Sequence, residues 1–186
     1  MRTTLAALMA LGAVTAYASP TVDAARAPVA CAALHADDLA GSGYAPVSPQ
    51  GTSLRMRADQ IGAPSDLHTE LCFHYQDTGR RRVVHVTIET FDKVDGLAQW
   101  LEDKNRQAAG DGARIAKIGQ ATCERGDYVQ KDGGTERIQH YLTCDQLVGR
   151  QRIGIGFEAP DRADGLPTDE ATVRALAAVI ARLPAQ

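Results

Sequence analysis

Past its first eighteen residues the chain has no apolar run long enough to cross a bilayer as a helix, which takes ~20 residues. It also lacks a dominant charge. Twenty Lys and Arg against twenty-three Asp and Glu leave a formal charge of −3. Scattered signs of this kind give no electrostatic footprint for nucleic acid or for an anionic membrane. Arg80-Arg81-Arg82 is the one basic run, and it abuts the apolar alternation at Val83, so it reads as a solvated strand entrance.

Catalytic signatures are missing as well. There is no His-Glu-x-x-His, and Gly41-Ser42-Gly43 is not the G-x-S-x-G of a nucleophile elbow. Gly154-x-Gly156 lacks the rest of a dinucleotide or phosphate loop. Asp37-Asp38 and Asp161-x-x-Asp164 read as solvated turn and helix-start carboxylates, the ordinary place for such groups. Nothing in the sequence calls for a cofactor or a metal, and no catalytic residue is assigned. Internal repeats and linkers are absent.

What is present begins with MRTTLAALMALGAVTAYAS. Arg2, the apolar run Leu5 to Ala16 and the small-x-small Ala16-Tyr17-Ala18 form a secretory signal peptide over residues 1–18, cleaved before Ser19. The expected location is therefore periplasmic or secreted. Residues 19–30, rich in Pro and Ala, read as a flexible tail, and 31–186 as one domain. A lipoprotein reading through Cys31 fails: that residue lies well past the apolar run, Pro28 suits a lipobox poorly, and acylation leaves an odd thiol.

Four cysteines remain, Cys31, Cys72, Cys123 and Cys144, and an even number in an exported chain favours two disulfides. In CERGDYVQKDGGTERIQHYLTC a cysteine stands at each end, equidistant from Gly133-Gly134. A hairpin turning on that pair sets Cys123 opposite Cys144, Lys131 opposite Glu136, Val129 opposite Ile138 and Asp127 opposite His140. The rival turn, Asp132-Gly133, sets Cys123 opposite Leu142. The glycine pair is favoured, and by elimination Cys31 bonds Cys72.

TELCFHYQDTGRRRVVHVTIETF reads as a second hairpin around Thr78-Gly79. Its alternation puts Leu71, Phe73, Tyr75, Val84, Val86 and Ile88 on a core face and Cys72, His74, Val83, His85 and Thr87 on the other. Helices are expected near His35 to Ala40, over Val94 to Ala108 with Trp100 in its stripe, and from the Thr168 N-cap to Pro184. In the last, Val173, Leu176, Ala177, Ile180 and Leu183 form the buried stripe. Strands are expected at Ser53 to Ala58, Ile115 to Ile118 and RQRIGIGF, with Ile153, Ile155 and Phe157 on one face. The fold class is α+β: a mostly antiparallel sheet, helices packed on it, an amphipathic C-terminal helix and two disulfides.

The opening Cys with ALHADDLAG, then LCFHY, HVTIETF before a helix, KIGQAT, and IGIGF before the C-terminal helix form a pattern. It resembles secreted lipoprotein and extracytoplasmic kinase-sensor domains of PsbP-like fold. The resemblance covers most of the mature chain as an order of elements, and departs from the group in lacking a lipobox and a transmembrane helix. It implies a module that binds a ligand or partner.

Two places carry candidate chemistry. On the Thr78-Gly79 register Cys72 faces His85 and Val83 faces His74, so His74 and His85 become diagonal neighbours able to share a ligand. That is the geometry of a Cys/His metal site or a thiol with its base; two surface histidines beside an oxidised Cys72 is the plainer account. Gly154 and Gly156 admit a close neighbour, either a crossing chain or a ligand groove. The expected function is a non-enzymatic binding module for a protein or cell-envelope component. A hydrolase or metal enzyme using His74 and His85, and a small-molecule pocket between sheet and C-terminal helix, are the alternatives.

Overall fold

Apolar and polar residues alternate through most of the middle of the chain, and those stretches form strands of one sheet. The structure, a computed structural model, describes residues 21–22, 28–76, 82–132, 134–160 and 165–184. The strands are β1 (Thr21–Val22), β2 (Pro49–Met56), β3 (Leu67–Tyr75), β4 (Val83–Phe91), β5 (Arg114–Ile118), β6 (Ala121–Asp132), β7 (Thr135–Val148) and β8 (Gln151–Pro160). They lie in the order β1-β2-β3-β4-β8-β7-β6-β5, every neighbouring pair antiparallel. The helices are α1 (Val29–Ala33), α2 (Ala58–Ile61), α3 (Leu97–Gly110) and α4 (Asp169–Arg182), with a 3₁₀ turn at Ala36–Leu39. The fold is therefore α+β. No helix among the described residues is long and apolar enough to cross a membrane.

One face of the sheet carries the main core. Cys72, Val84, Val86, Ile88, Leu142, Ile153, Ile155 and Phe157 are buried there against α1 and α4. Thr168 caps α4 by accepting from the Ala171 N–H at 3.2 Å. Its neighbour Asp169 accepts from Arg114 at 2.5 Å and Arg125 at 3.0 Å, tying the helix start to β5 and β6. Burial alone raises the Asp169 carboxyl, but the two guanidiniums outweigh it and hold it below the usual carboxylate range. At the other helix end Arg182 forks onto Asp38.

Both disulfides join the pairs expected, Cys31–Cys72 and Cys123–Cys144. The β6–β7 register is the one centred on the glycine pair: Cys123 meets Cys144, Val129 meets Ile138 and Asp132 meets Thr135. Lys131 and Glu136 are bonded at 2.8 Å, and His140 and Asp127 at 2.5 Å. The Cys31–Cys72 bridge pins α1 to the sheet. Gly51 makes room for it, since a Cβ there would stand 2.8 Å from the Cys31 sulfur.

Three expectations are corrected. In the β3–β4 hairpin, Cys72 meets Val86, Phe73 meets His85 and His74 meets Val84, one residue away from the register of a two-residue Thr78-Gly79 turn. Gln76 N–H bonds Arg82 C=O at 2.8 Å, so an odd number of residues, 77–81, connects the strands. The turn itself lies outside the described residues. The slip sends Leu71, Phe73 and Tyr75 to the face opposite Val84, Val86 and Ile88. Second, the segment read as a tail through residue 30 is in part ordered: Val22 pairs with Leu54, and the Glu70 carboxylate accepts from the Val29 N–H at 2.6 Å. Third, of the stripe expected on α4, Leu176 is buried and Val173, Ile180 and Leu183 pack partly buried against the core, while Thr172, Ala175 and Val179 join the buried line. Ala177 falls on the solvent side and is exposed. The signal peptide and Asp161-x-x-Asp164 lie outside the described residues.

Candidate functional site

Period-two alternation that buries one face must present the other. Opposite the main core, the register lines residues up in rows. At one end Met56, Leu67 and Phe91 form a second small core with Leu97, Trp100 and Leu101 of α3 and Ile61 of α2. The next row runs Thr69–Glu89–Arg152, then Leu71–Thr87–Gly154–Asp145, then Phe73–His85–Gly156–Thr143. A further row holds Tyr75, Val83, Glu158 and Tyr141. Beyond the α3 end, this face is the one that α1 and α4 leave uncovered.

The second and third of these rows floor an open groove of about 300 Å³, lined by Met56, Thr69, Leu71, Thr87, Glu89, Thr143, Asp145, Arg152 and Gly154. Its charged part is a triad. Arg152 donates to Asp145 at 2.8 Å and, more weakly, to Glu89 at 3.4 Å. Burial pushes the Glu89 carboxyl above the usual range against the pull of Arg152. Thr69 is 3% exposed, and neither its hydroxyl nor the buried Arg152 Nε has a hydrogen-bond partner among the described residues.

The next row explains the strand glycines. A Cβ on Gly156 would stand 2.3 Å from the Cε1 and Nε2 of His85, so the imidazole occupies the space over β8. The ring also sits 5.8 Å from Phe73, which stacks with Tyr75 at 6.1 Å. Burial keeps His85 below the ordinary histidine range, with the Glu158 charge pulling the other way. Gly126 plays the same part for Tyr141, whose hydroxyl and ring would meet a Cβ there at 2.7 Å and 2.9–3.0 Å. Tyr141 donates to Glu124 at 2.5 Å and Tyr128 to Glu158 at 2.8 Å. Burial and these carboxylates push both phenols well above their ordinary range. Gly154 differs: a Cβ there would find ordinary contacts at 3.6–4.0 Å, with the groove above it.

The structure separates the residues that the sequence pairs and joins others. His74 is 1% exposed on the core face, beside the Cys72 sulfur at 3.6 Å, whereas His85 lies on the opposite face. The register thus removes the diagonal His74–His85 arrangement and the Cys72–His85 pairing, and Cys72 is bonded to Cys31. Among the described residues no group of three His, Cys, Asp or Glu stands close enough to hold a metal ion. His85, Gly154 and Gly156 do share the uncovered face. The groove's own residues, Thr69, Glu89, Asp145 and Arg152, were not singled out from the sequence. The alternating HVTIET and TCD were the available signal, but they show a polar face without showing which strands adjoin. Comparison with known protein families, curated proteins and solved structures finds no match to this chain.

Proposed function

We propose that the protein is an extracytoplasmic, non-enzymatic binding module that receives a cell-envelope component on the uncovered face of its sheet. Two disulfides fit an oxidising compartment outside the cytosol, and the N-terminal signal pattern supplies the route there, with cleavage before Ser19. The observation that carries the reading is the groove over β3, β4, β8 and β7. It is concave and open, and Thr69, Glu89, Asp145 and Arg152 are among the residues that line it. The half-buried rings of Phe73, Tyr75, His85 and Tyr141, in the two rows beside it, supply flat contact area at low entropic cost. The resemblance to sensor-like domains of PsbP-like fold agrees with this reading.

The test is amide chemical-shift mapping of the isotope-labelled mature chain titrated with solubilised envelope fractions. Saturable shifts confined to β3, β4, β7 and β8 near the groove support the reading. Shifts confined to α1 and α4, or no saturable shift with any fraction, overturn it.

A further inference from the structure

The long hairpin β6–β7 outruns its neighbours. Pairing with β5 ends at Arg125, and pairing with β8 ends at Gln139. Among the described residues, β6 therefore has a single strand neighbour from Gly126 to Asp132, and its other edge is open. Tyr128, Val129 and Ile138 on this arm are 41%, 56% and 54% exposed, so the fold leaves its apolar rungs uncovered. At the root of the edge, a cleft of about 420 Å³ separates Gly126 and Asp127 from the turn 111–113 and leaves room for the end of another strand.

The turns decide which backbone groups the edge presents. Ile118 and Ala121 close a two-residue connection as a hydrogen-bonded pair, which directs the N–H and C=O of Ala121, Cys123 and Arg125 to β5. By the same alternation Asp127, Val129 and Lys131 direct theirs to the open edge. Such an edge is a template for another strand, and a lysine on it ordinarily discourages pairing. Here Asp127 and Lys131 stand equally far from Val129, so the segment is complementary to itself. A second copy lying antiparallel about a two-fold axis at Val129 sets Asp127 against Lys131 of the partner subunit at both ends. Val129 then meets Val129 of the partner subunit, with all three side chains on the face of Ile138. One apolar row, Ile138 and Val129 continued by the same two residues of the partner subunit, runs between two rows of alternating charge. Those outer rows extend the Asp127–His140 and Lys131–Glu136 pairs already present.

We propose that the protein self-associates through this edge, as a two-fold dimer that joins β6 to β6. Five facing residues per copy bury less than the ~1,200 Å² of a stable interface, so the dimer is weak and reversible. Its axis stands perpendicular to the sheet, and both uncovered faces look the same way. The pairing does not rest on what those faces bind.

The test is sedimentation velocity of the mature, oxidised chain at low ionic strength, from about 10 µM to about 1 mM. The expected result is reversible dimerisation, with amide exchange at Asp127, Val129 and Lys131 slowing as concentration rises. Asp127→Lys and Lys131→Asp each weaken the dimer about tenfold or more, because either change replaces two attractive cross-strand pairs by two repulsive ones. Mixed in equal amounts, the two variants pair with each other, since opposite charges again meet at both ends. Val129→Pro removes an N–H that faces the open edge and no bond of the β6–β7 ladder. It abolishes the dimer while near-ultraviolet circular dichroism stays unchanged. A chain that remains monomeric throughout, a dimer that either charge reversal or Val129→Pro leaves intact, or two charge variants that do not pair when mixed overturns the proposal.

Discussion

His85 on β4 occupies the space in which a side chain at Gly156 on β8 would have to stand. A Cβ built at Gly156 lies 2.3 Å from two of its ring atoms. The two residues are cross-strand partners, so the imidazole is held over its own neighbour, with Thr143 on the far side and Phe73 on the near.

Gly156→Ala should therefore destabilise the protein by about 1–3 kcal/mol, the usual cost of overpacking. Gly154→Ala, two residues away on the same face, should be neutral or stabilising by up to about 1 kcal/mol, because its Cβ meets only ordinary contacts. Urea midpoints of the two variants decide it; similar losses in both would show that His85 does not claim the space. A His85→Ala background should erase most of the Gly156→Ala penalty.

Burial holds both His74 and His85 below the ordinary histidine range. Their folded pKa values lie under the unfolded value of ~6.5, so the unfolded chain takes up protons first as pH falls. Stability is full above ~6.5 and declines as pH drops through 6.5 toward the folded values. Melting curves should show this loss, and His85→Gln should flatten it. A melting temperature unchanged between neutrality and mild acid would contradict the burial of both rings.

Asp169 works the same way at lower pH. Its folded carboxyl is held below the unfolded value of ~3.9, so its contribution is present above that value and lost as pH falls through the folded one. Asp169→Asn keeps the helix start but leaves the quarter-exposed Arg125 without its carboxylate. The expected cost is about 1–3 kcal/mol, less than for a fully buried pair because Arg114 is 67% exposed. A loss of α4 protection in hydrogen exchange ahead of the sheet would locate the effect.

The two disulfides should differ in worth. Cys31–Cys72 spans 41 residues and is the covalent tie of α1 to the sheet, whereas Cys123–Cys144 spans 21 and joins strands already paired. Replacing either pair by serines should cost about 2–5 kcal/mol, with Cys31–Cys72 the larger. Denaturant midpoints of the two double variants give the order directly.

The contrast between the two hairpins shows how much was legible in advance. In β6–β7 the glycine pair, the two cysteines and the Lys131–Glu136 and Asp127–His140 partners all favour one register, and it is the one observed. In β3–β4 both faces carry large apolar residues: Leu71, Phe73 and Tyr75 on one, Cys72 with Val84 and Val86 on the other. Alternation alone fits either pairing there. A one-residue difference in the connection exchanges the face that His85 shares.

From its residues alone the chain determined the strands from β3 to β8, the long helix α3, the capped C-terminal helix and both sulfur pairings, because each depends on contacts close in sequence or on covalent partners few in number; β1, α1 and α2 were not legible there. The groove was decided only in three dimensions. Its floor exists because β8 inserts beside β4, bringing residues 83–91 against 151–160, and no local pattern encodes which distant strand becomes a neighbour. That adjacency sets Glu89, Arg152 and Asp145 side by side and turns two strand glycines into a slot for His85 and part of the groove lining.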